Sequence, residues 1–485
     1  MVVNKEPVLV WRYFEELSAI PRPSGHEKAA ADWIAKTAKE HGLPFKKDKV
    51  GNVMISIPGT ASFEKAPAVV LQGHLDMVPE KNHDSKHDFL KDPIGLKVEG
   101  DWLKARGTTL GADNGIGVAM ALALLDDKKA QHGPLELLFT IDEERGLKGA
   151  NSLSKDFVKG RRLINVDTEE EGAIYIGCAG GVDTALEFKV SREKKGFSSI
   201  HTLMVTGLRG GHSGSEIHEG RGNANQLLAR ILLELEKHGI EYFLHEISGG
   251  SKRNAIPREA FAKISVKPSS KDKLKKLLKK LTAEFRFELR GIDEKVSVSL
   301  KDEKSVPVGP ISKKSRTRLL WFLSAIPHGP LAFDREIPGL VETSANFAIV
   351  ETSAKSVKVH TSQRSSVWSK LQYAAETVRN LGLVAGAKAE SSGMYHGWTP
   401  NLSSALLLQA KKTYKRISGK DAEDKAIHAG LECGILGERY PGMDMISMGP
   451  DIRNAHSPDE MVSIPSVERT YLFLKELLKD LAEAR

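Results

Sequence analysis

The sequence has little cysteine and no long hydrophobic run. Only two of its 485 residues are cysteines, Cys178 and Cys433, which excludes a disulfide framework and favours a reducing compartment. The longest apolar stretch, residues 117–125, is less than half of the roughly 20 residues that a membrane-spanning helix needs. The N-terminal segment lacks a basic region followed by an apolar one, so we expect no signal peptide. We therefore expect a soluble, cytoplasmic protein that does not bind membranes.

Acidic residues are slightly fewer than basic ones, 63 against 71, which gives a net charge of +8. Such a balance can indicate nucleic acid binding. Much of the excess, however, lies in residues 271–280, where Leu274, Leu277, Leu278 and Leu281 keep helical spacing. The lysines between them then form the solvated face of an amphipathic helix. We expect no nucleic acid partner.

The first part of the chain alternates short apolar runs with helical patterns. Residues 68–71, 135–141 and 163–166 predict buried strands, and residues 114–125 predict a helix. Buried strands separated by helices are typical of a mostly parallel sheet that is covered by helices on both faces. The predicted fold class is therefore α/β.

The pattern changes near Gly181. The order β-α-β-β-α-β is predicted over residues 200–285, and a similar order follows over residues 315–381. We therefore predict two related, ferredoxin-like α+β units in tandem. Because the α/β pattern then returns, we predict a discontinuous α/β domain, residues 1–181 and 393–485, which is interrupted by an α+β insertion, residues 182–392.

Histidine and acidic residues follow the predicted strands of the α/β domain. His74 and Asp76 follow the first strand, Glu143 and Glu144 the second, and Asp167 the third. In open α/β sheets, ligands bind at the carboxyl ends of the strands. We therefore expect these side chains to converge in one crevice.

Two further residues complete the pattern. Asp113 lies at a predicted helix start, and His456 lies in the loop after a strand predicted at residues 443–448. Each alone is usually a turn, cap or surface residue, but their joint placement predicts a metal site. Imidazole nitrogen and carboxylate oxygen suit zinc, cobalt or manganese, and these residues can hold two ions if one carboxylate bridges them. A further acidic residue could then act as a general base.

Long motifs along the chain resemble those of one enzyme family. They include LQGHLDMVPEKN, ARGTTLGADNGIG, DEERG, NVDTEEEG, GGHSGSEIH, RNAIPREAFA, HAGLECG and AHSPDE. The sequence is similar, from about Trp11 to its C-terminus, to the aminoacyl-histidine (Xaa-His) or cytosol non-specific dipeptidases. These are co-catalytic zinc metallopeptidases related to carboxypeptidase G.

The resemblance implies two divalent metal ions, zinc in the first place and cobalt or manganese as alternatives. It implies that His74 and Asp167 hold one ion, that Glu144 and His456 hold the other, and that Asp113 bridges them.

Two carboxylates would have catalytic roles by the same resemblance. Asp76 would orient His74, and Glu143 would be the general base that takes a proton from water and passes it to the leaving amine. The implied activity is hydrolysis of unblocked dipeptides, including Xaa-His types.

Three residues of the insertion match substrate-binding positions of the family. The resemblance implies that His212 supports the oxyanion or the substrate, that Asn254 contacts the substrate, and that Arg364 binds the terminal carboxylate of the dipeptide. The insertion would then be a lid. Its doubled length can replace a contact that shorter relatives obtain by dimerisation, so both a monomer and a homodimer remain open.

Three alternatives remain open. An N-acyl amino acid deacylase or a single-residue carboxypeptidase would use the same metal site. A binding protein could keep the fold without catalysis, and residues 271–280 could bind nucleic acid.

Overall fold

The computed structural model describes residues 4–306 and 308–484. The chain forms two compact units. The first unit contains the residues up to Gly177, Trp398–Ala426 and the residues from Leu431 onward, and the second contains Cys178–Gly397 and Ile427–Gly430. Residues 427–430 belong to the second unit because the backbone N–H of Ala179 donates to the carbonyl groups of Ile427 and Ala429. Nothing in the sequence pattern indicates this return.

The first unit begins with α1 (Val8–Ser18), α2 (Lys28–Glu40), β1 (Phe45–Lys47), β2 (Val53–Ile57), β3 (Val69–His74), β4 (Leu96–Glu99), β5 (Trp102–Ala105), α3 (Ala112–Ala123), β6 (Leu135–Thr140), α4 (Lys148–Ser152), β7 (Arg162–Asn165) and β8 (Ala173–Cys178). The second unit contains β9 (Gly180–Lys189), β10 (Ser199–Thr206), β11 (Gly211–His212), α5 (Ala224–Lys237), β12 (Tyr242–Gly249), β13 (Ala255–Ile256), β14 (Ala260–Val266), α6 (Lys271–Glu288), β15 (Ser297–Glu303), α7 (Lys313–Ala325), β16 (Gly329–Phe333), β17 (Val341–Thr352), β18 (Ser356–Ser365), α8 (Trp368–Val384) and β19 (Lys388–Tyr395). The first unit resumes with α9 (Ala405–Ser418), β20 (Glu423–Ile427), α10 (Glu432–Arg439), β21 (Asp444–Ser447), β22 (Ile452–Arg453), β23 (Met461–Ser463) and α11 (Ile464–Glu483).

The main sheet of the first unit has parallel strands at its centre. Its order in the described part of the chain is β1-β2-β6-β3-β7-β21-β8-β20. The pairs β6–β3, β3–β7 and β7–β21 are parallel, whereas β1–β2, β2–β6 and β21–β8 are antiparallel. Strands β3 and β6 are buried along their whole length, which explains their continuous apolar runs. The predicted α/β class is confirmed, with antiparallel strands toward the sheet edges.

The second unit contains one antiparallel sheet made of two ferredoxin-like units. Its main path is β15-β10-β14-β12-β17-β18-β9-β19. The elements β10-α5-β12-β14-α6-β15 form one unit with strand order 4-1-3-2. The elements β9-α7-β17-β18-α8-β19 form another with the same order, and the second strands of the two units, β12 and β17, pair with each other.

The two ferredoxin-like units are nested, so the predicted tandem arrangement is wrong. Strand β9 supplies the first strand of the outer unit, and the whole inner unit follows before the outer unit continues at α7. The sequence analysis did not predict β9. Its residues nevertheless alternate between buried and partly buried positions from Val182 to Phe188, as in a strand with one face in the core.

His456 lies in the turn between two strands of a smaller sheet, and not directly after the parallel strand at Asp444–Ser447 as predicted. In the described chain this sheet has the antiparallel order β22-β23-β5-β4, and His456 is in the connection between β22 and β23. The extra strand β22 has only two residues, too few to give a hydrophobic pattern.

The lysine-rich helix α6 has the predicted amphipathic arrangement. Leu274, Leu277, Leu278 and Leu281 are buried in the core of the second unit, and Lys276 is among the lysines exposed to solvent. Among the described residues, no helix combines the length and the apolar character that crossing a membrane would require.

Truncation of the buried face of α6 should destabilise the protein. We expect Leu281→Ala to lower the free energy of unfolding by about 2–5 kcal/mol, because it leaves a cavity in a closely packed core. Lys276→Ala, on the exposed face, should change it by less than about 0.5 kcal/mol. Chemical denaturation followed by circular dichroism measures both. Equal effects of the two variants would contradict the assigned burial.

Candidate metal centre

The parallel strands bring the predicted ligands to one edge of the sheet. His74 is the last residue of β3, and its side chain is only 1% exposed. Glu143 and Glu144 follow the neighbouring strand β6, and Asp167 follows β7 on the other side of β3. Because these strands are parallel, their carboxyl ends meet at the same edge. The predicted convergence of these groups is therefore present in the first unit.

Asp113 lies between the two histidines. Its Oδ1 is 3.1 Å from Nε2 of His74, and its Oδ2 is 3.1 Å from Nε2 of His456. The residue is in the first turn of α3, just after Gly111, which adopts a left-handed conformation with φ of 70°. A side chain at Gly111 would also collide with Arg22 and Met77, so glycine is required for this turn. The carboxylate thus faces both histidines at once.

Each histidine also faces a second carboxylate. Asp167 Oδ1 is 3.4 Å from Nε2 of His74, and Glu144 Oε1 is 2.9 Å from Nε2 of His456. Both oxygen atoms are buried, and neither makes a hydrogen bond within the described residues. Two groups of possible ligand atoms result, each with one imidazole nitrogen, one oxygen of Asp113 and one buried carboxylate oxygen that makes no hydrogen bond to a described residue. This donor set fits two divalent ions that share Asp113.

Imidazolium and carboxylate groups pair within the cluster. The carboxylates of Asp113 and Glu144, both close to Nε2 of His456, raise the pKa of His456 to about 11, although burial opposes the shift. Burial lowers the pKa of His74, but its carboxylate neighbours, Asp167 first, raise it well above its ordinary value. Burial raises the pKa of Asp113, yet its hydrogen bonds with both histidines lower it overall. Divalent ions would take the place of these protons, since a histidine ligand must be neutral.

Asp76 holds both His74 and the loop that follows β6. Its Oδ1 is 3.3 Å from Nδ1 of His74, the ring nitrogen that points away from the cluster. Its two oxygens also accept the backbone N–H groups of Glu143, at 3.0 Å, and Glu144, at 3.2 Å. Burial raises the pKa of Asp76, but these bonds lower it to about 2. One ionised carboxylate thus orients a histidine and fixes the loop that bears both glutamates.

Glu143 is the acidic residue beyond the ligand set. Burial raises its pKa well above the ordinary value, His74 opposes this shift, and the charges of Asp167 and Glu144 add to it. A carboxylate in this environment has a high affinity for a proton, as a general base requires.

Glu460 supports the bridging carboxylate, a role that the sequence reasoning missed. One of its oxygens accepts the backbone N–H groups of Leu110, at 2.7 Å, and Gly111, at 3.0 Å. The other accepts those of Ala112, at 2.8 Å, and Asp113, at 3.2 Å. Glu460 belongs to the AHSPDE motif of His456, so one short segment carries a histidine and also fixes the Asp113 loop.

Arg22 is the second supporting residue that the sequence reasoning missed. Its side chain is fully buried, and its Nη1 donates to the carbonyl groups of Leu75 and Asp76, both at 3.0 Å. Its Nη2 donates to the carbonyl group of Gly111 at 2.6 Å. The guanidinium therefore ties the two loops that bear Asp76 and Asp113. Sequence motifs do not identify this role, because Arg22 lies far along the chain from every motif of the cluster.

His212 lies in the second unit, on β11 of a two-stranded antiparallel sheet formed by β11 and β13. Its Nδ1 accepts the backbone N–H of Ser215 at 3.1 Å and faces that of Gly214 at 3.3 Å. An atom that accepts these bonds carries no proton, so the neutral ring carries its proton on Nε2. Burial and the charge of Arg364 both lower the pKa of His212, which favours this neutral form. The side chain is therefore a hydrogen-bond donor through Nε2.

Asn254 and Arg364 line one cavity of about 200 Å³ in the second unit. Arg364, on β18, donates from Nη1 to the hydroxyl group of Tyr395 at 3.2 Å. Its Nε is buried and makes no hydrogen bond within the described residues. Asn254 is exposed, and its carbonyl group accepts the N–H of Ser213. The structure thus brings two of the three predicted substrate-binding residues to a common cavity.

Known proteins resemble this chain over its whole length. Residues 70–480 match the sequence profile of Peptidase family M20/M25/M40. The chain is 44% identical over 477 residues to the cytosol non-specific dipeptidase of Escherichia coli (strain K12), which covers 98% of both proteins. The aminoacylhistidine dipeptidase structure from Vibrio alginolyticus matches with a TM-score of 0.91 and 40% identity over 99% of this chain and 98% of that one. Human carnosine dipeptidase 1, at 13% identity and a TM-score of 0.52 over 98% and 96% of the chains, shares the fold.

These matches and the fold define a peptidase, that is, a hydrolase of peptide bonds. The chain belongs to Peptidase family M20/M25/M40. The resemblance inferred from the motifs is thereby confirmed. The family is metal-dependent, and the cluster around Asp113 is a candidate site for the ions.

Binding of a divalent ion should release protons. Because the pKa of His456 is raised to about 11, this residue is protonated near neutral pH and must lose its proton to become a ligand. We therefore expect the affinity for Zn²⁺ to rise with pH between 6 and 9. Calorimetric titration of the chelator-treated protein in buffers of different ionisation enthalpy measures the released protons. Binding heats that do not depend on the buffer would contradict the assigned pairing, and His456→Ala should release fewer protons.

Proposed function

We propose that the chain is a metal-dependent dipeptidase that hydrolyses unblocked dipeptides, including those with a C-terminal histidine. The cluster bridged by Asp113, with Glu143 beside it, is the observation that carries this proposal. It is supported by the dipeptidase names of the two proteins that match nearly the whole chain at 44% and 40% identity.

His74 and Asp167 would hold one divalent ion, Glu144 and His456 would hold the other, and Asp113 would contact both. The support is the distances from Asp113 to the two histidines and the buried oxygens of Asp167 and Glu144, which face the same histidines and make no hydrogen bond within the described part of the chain. The nitrogen and oxygen donors suit Zn²⁺ best and are also compatible with Co²⁺ or Mn²⁺. When bound, such ions supply electrophilic stabilisation of the oxygen atoms at the reacting carbon.

Glu143 acts as the general base. It takes a proton from the attacking water and returns it to the nitrogen of the leaving amine, so that the scissile bond breaks without release of an amide anion. Its raised pKa supports both steps, because a group that binds a proton well in the ground state can receive it and then deliver it as an acid. Asp76 positions His74 and the backbone of Glu143, and so fixes the base relative to the ligands.

The second unit acts as a lid that recognises the substrate. His212 donates from Nε2 to the developing oxyanion, a role supported by the two backbone N–H groups that occupy its Nδ1. Arg364 binds the terminal carboxylate of the dipeptide with its guanidinium fork, and Asn254 contacts the substrate from the same cavity. A carboxylate clamp at a fixed place favours substrates of two residues over longer peptides.

The setting of this activity is the cytoplasm, where free dipeptides occur as products of peptide degradation. The enzyme acts as a monomer or a homodimer, without nucleic acid or membrane partners. The low cysteine content supports a reducing compartment.

The proposed reaction is tested with a panel of substrates before and after chelation and metal addition. The panel contains β-alanyl-histidine, alanyl-histidine, leucyl-glycine, a tripeptide and an N-acetyl amino acid. We expect metal-restored cleavage of the free dipeptides only. Exclusive cleavage of the N-acetyl compound would indicate a deacylase instead. Absence of any metal-dependent cleavage would indicate a binding protein without catalytic activity.

Replacement of the base should separate catalysis from metal binding. We expect Glu143→Gln to lower kcat by about 10²–10⁴-fold, because proton transfer is lost, while the bound metal remains near that of the unaltered protein. Metal content after gel filtration and steady-state kinetics measure the two effects. Near-normal turnover of Glu143→Gln would show that another group is the base.

Replacement of the carboxylate clamp should act on substrate recognition. We expect Arg364→Met to lower kcat/KM for dipeptides by about 10–100-fold, the effect of losing hydrogen bonds to a charged group. Amidation of the dipeptide C-terminus should lower kcat/KM of the unaltered enzyme and have little effect on Arg364→Met. Arg379→Met, on the exposed side of α8, is the matched control and should be unchanged. If amidation affects both enzymes equally, Arg364 does not bind the carboxylate.

A further inference from the structure

A layer of buried polar residues lies one step below the metal ligands in the first unit. Gln72 on β3 precedes His74 by two residues, and Asn165 on β7 precedes Asp167 by two. Side chains two residues apart on a strand point to the same face. Gln72 is 2% exposed and Asn165 is fully buried, so both polar groups need internal partners.

Hydrogen bonds join this layer across the four parallel strands. Ser447 on β21 donates to Asn165, and Asn165 Nδ2 donates to Oε1 of Gln72 at 2.6 Å. Gln72 Nε2 donates to Oγ1 of Thr140 on β6 at 3.2 Å. The chain of bonds ends at Glu432, the first residue of α10, which lies in the HAGLECG motif. A carboxyl group thus closes a row of neutral side chains.

Glu432 is fully buried and only half satisfied. Its Oε2 accepts hydrogen bonds from Gln72 Nε2 and, at 2.7 Å, from Oγ1 of Thr140. Its Oε1 is buried and makes no hydrogen bond within the described residues. Burial raises the pKa of Glu432 to about 7, and the charge of His74 opposes this shift. Both donors to the carboxyl group are neutral, so the hydrogen bonds of the layer do not compensate the charge of its ionised form.

His74, in the candidate metal centre, is the basic residue whose charge acts on Glu432. The carboxyl group is bonded to the side chain of Gln72, which lies about 7 Å along the strand from His74 at ~3.3 Å per residue. Its charge acts on His74, Asp167 and Asp76. A buried anion with an unpaired oxygen costs free energy unless cations lie close to it. Divalent ions at the cluster would supply that compensation.

We propose that Glu432 is a positioning residue of the metal centre, which holds the polar layer below His74 and Asp167 and favours cation binding through its negative charge. The inference rests on the proposed function in one respect, namely that the cluster around Asp113 binds divalent ions. Glu432 itself would contact neither the ions nor the substrate. The free energy that the carboxylate costs in the metal-free protein is returned when the ions bind.

The test compares metal affinity with stability in Glu432→Gln. The amide oxygen can accept the bonds of Gln72 and Thr140, while the charge is lost. We expect the affinity of the chelator-treated protein for Co²⁺, measured by competition with a chromogenic chelator, to fall at least tenfold. The melting temperature of the metal-free protein should stay equal or rise, because a neutral amide costs less to bury than a carboxylate. Added Co²⁺ should restore kcat.

Glu136→Gln is the matched control. Glu136 is also a buried carboxylate, on β6, but it lies near the amino end of the strand and accepts the N–H groups of Lys159 and Gly160. We expect it to bind Co²⁺ with the affinity of the unaltered protein. Thr140→Val is a second test variant, since it removes one donor from Glu432 and should weaken Co²⁺ binding by a smaller factor.

The outcomes separate the inference from the proposed function. Unchanged Co²⁺ affinity in both Glu432→Gln and Thr140→Val would overturn the inference, and so would an equal loss in Glu136→Gln. A lower melting temperature of metal-free Glu432→Gln with unchanged affinity would show a purely structural role. Absence of Co²⁺ binding by the unaltered protein would overturn the metal centre itself.

Discussion

The first unit depends on holding several carboxylates within a few ångströms of one another. Asp113, Glu144 and Asp167 converge on two histidines, and like charges at such distances repel strongly in a buried environment. The sheet resists this repulsion by geometry, because three ligand segments leave parallel strands at one edge. The loops between them are fixed by two buried side chains: Glu460 accepts the backbone N–H groups of the Asp113 loop, and Arg22 donates to the carbonyl group of Gly111. The supporting residues are therefore charged and buried like the ligands themselves.

The residues of the cluster that follow strands could be predicted from sequence, whereas the residues that support them could not. The ligands follow apolar runs, so periodicity alone placed His74, Glu144 and Asp167 at one sheet edge. Arg22 donates to backbone carbonyl groups of distant loops, and Glu460 accepts backbone N–H groups. Because every residue type other than proline has both groups, such bonds cannot be recognised from the sequence of the loop. The roles of His212 and Arg364 were predicted from resemblance alone. The structure adds a physical basis for each: Nδ1 of His212 accepts a backbone N–H, and Nε of Arg364 is buried without a hydrogen bond within the described residues.

The same limit applies to the fold. Strong periodicity located the helices and the buried strands, such as α6 and β6, to within a few residues. The β-α-β-β-α-β order of the inner unit was predicted from sequence, but the first strand of the outer unit, β9, and the nesting were not. Pairing between strands is decided by registers and edges that lie far apart in the chain, as with β9 between β18 and β19. A pattern that is local in sequence cannot distinguish an inserted unit from a consecutive one.

Nesting determines the order in which the parts can be completed during synthesis. The inner ferredoxin-like unit is continuous in sequence and can form as soon as β15 has left the ribosome, whereas the outer sheet waits for β18 and β19 to pair with β9. The cluster itself comes later still, because His456 follows Asp113 by 343 residues. A growing chain therefore has no complete candidate metal centre until His456 has been synthesised.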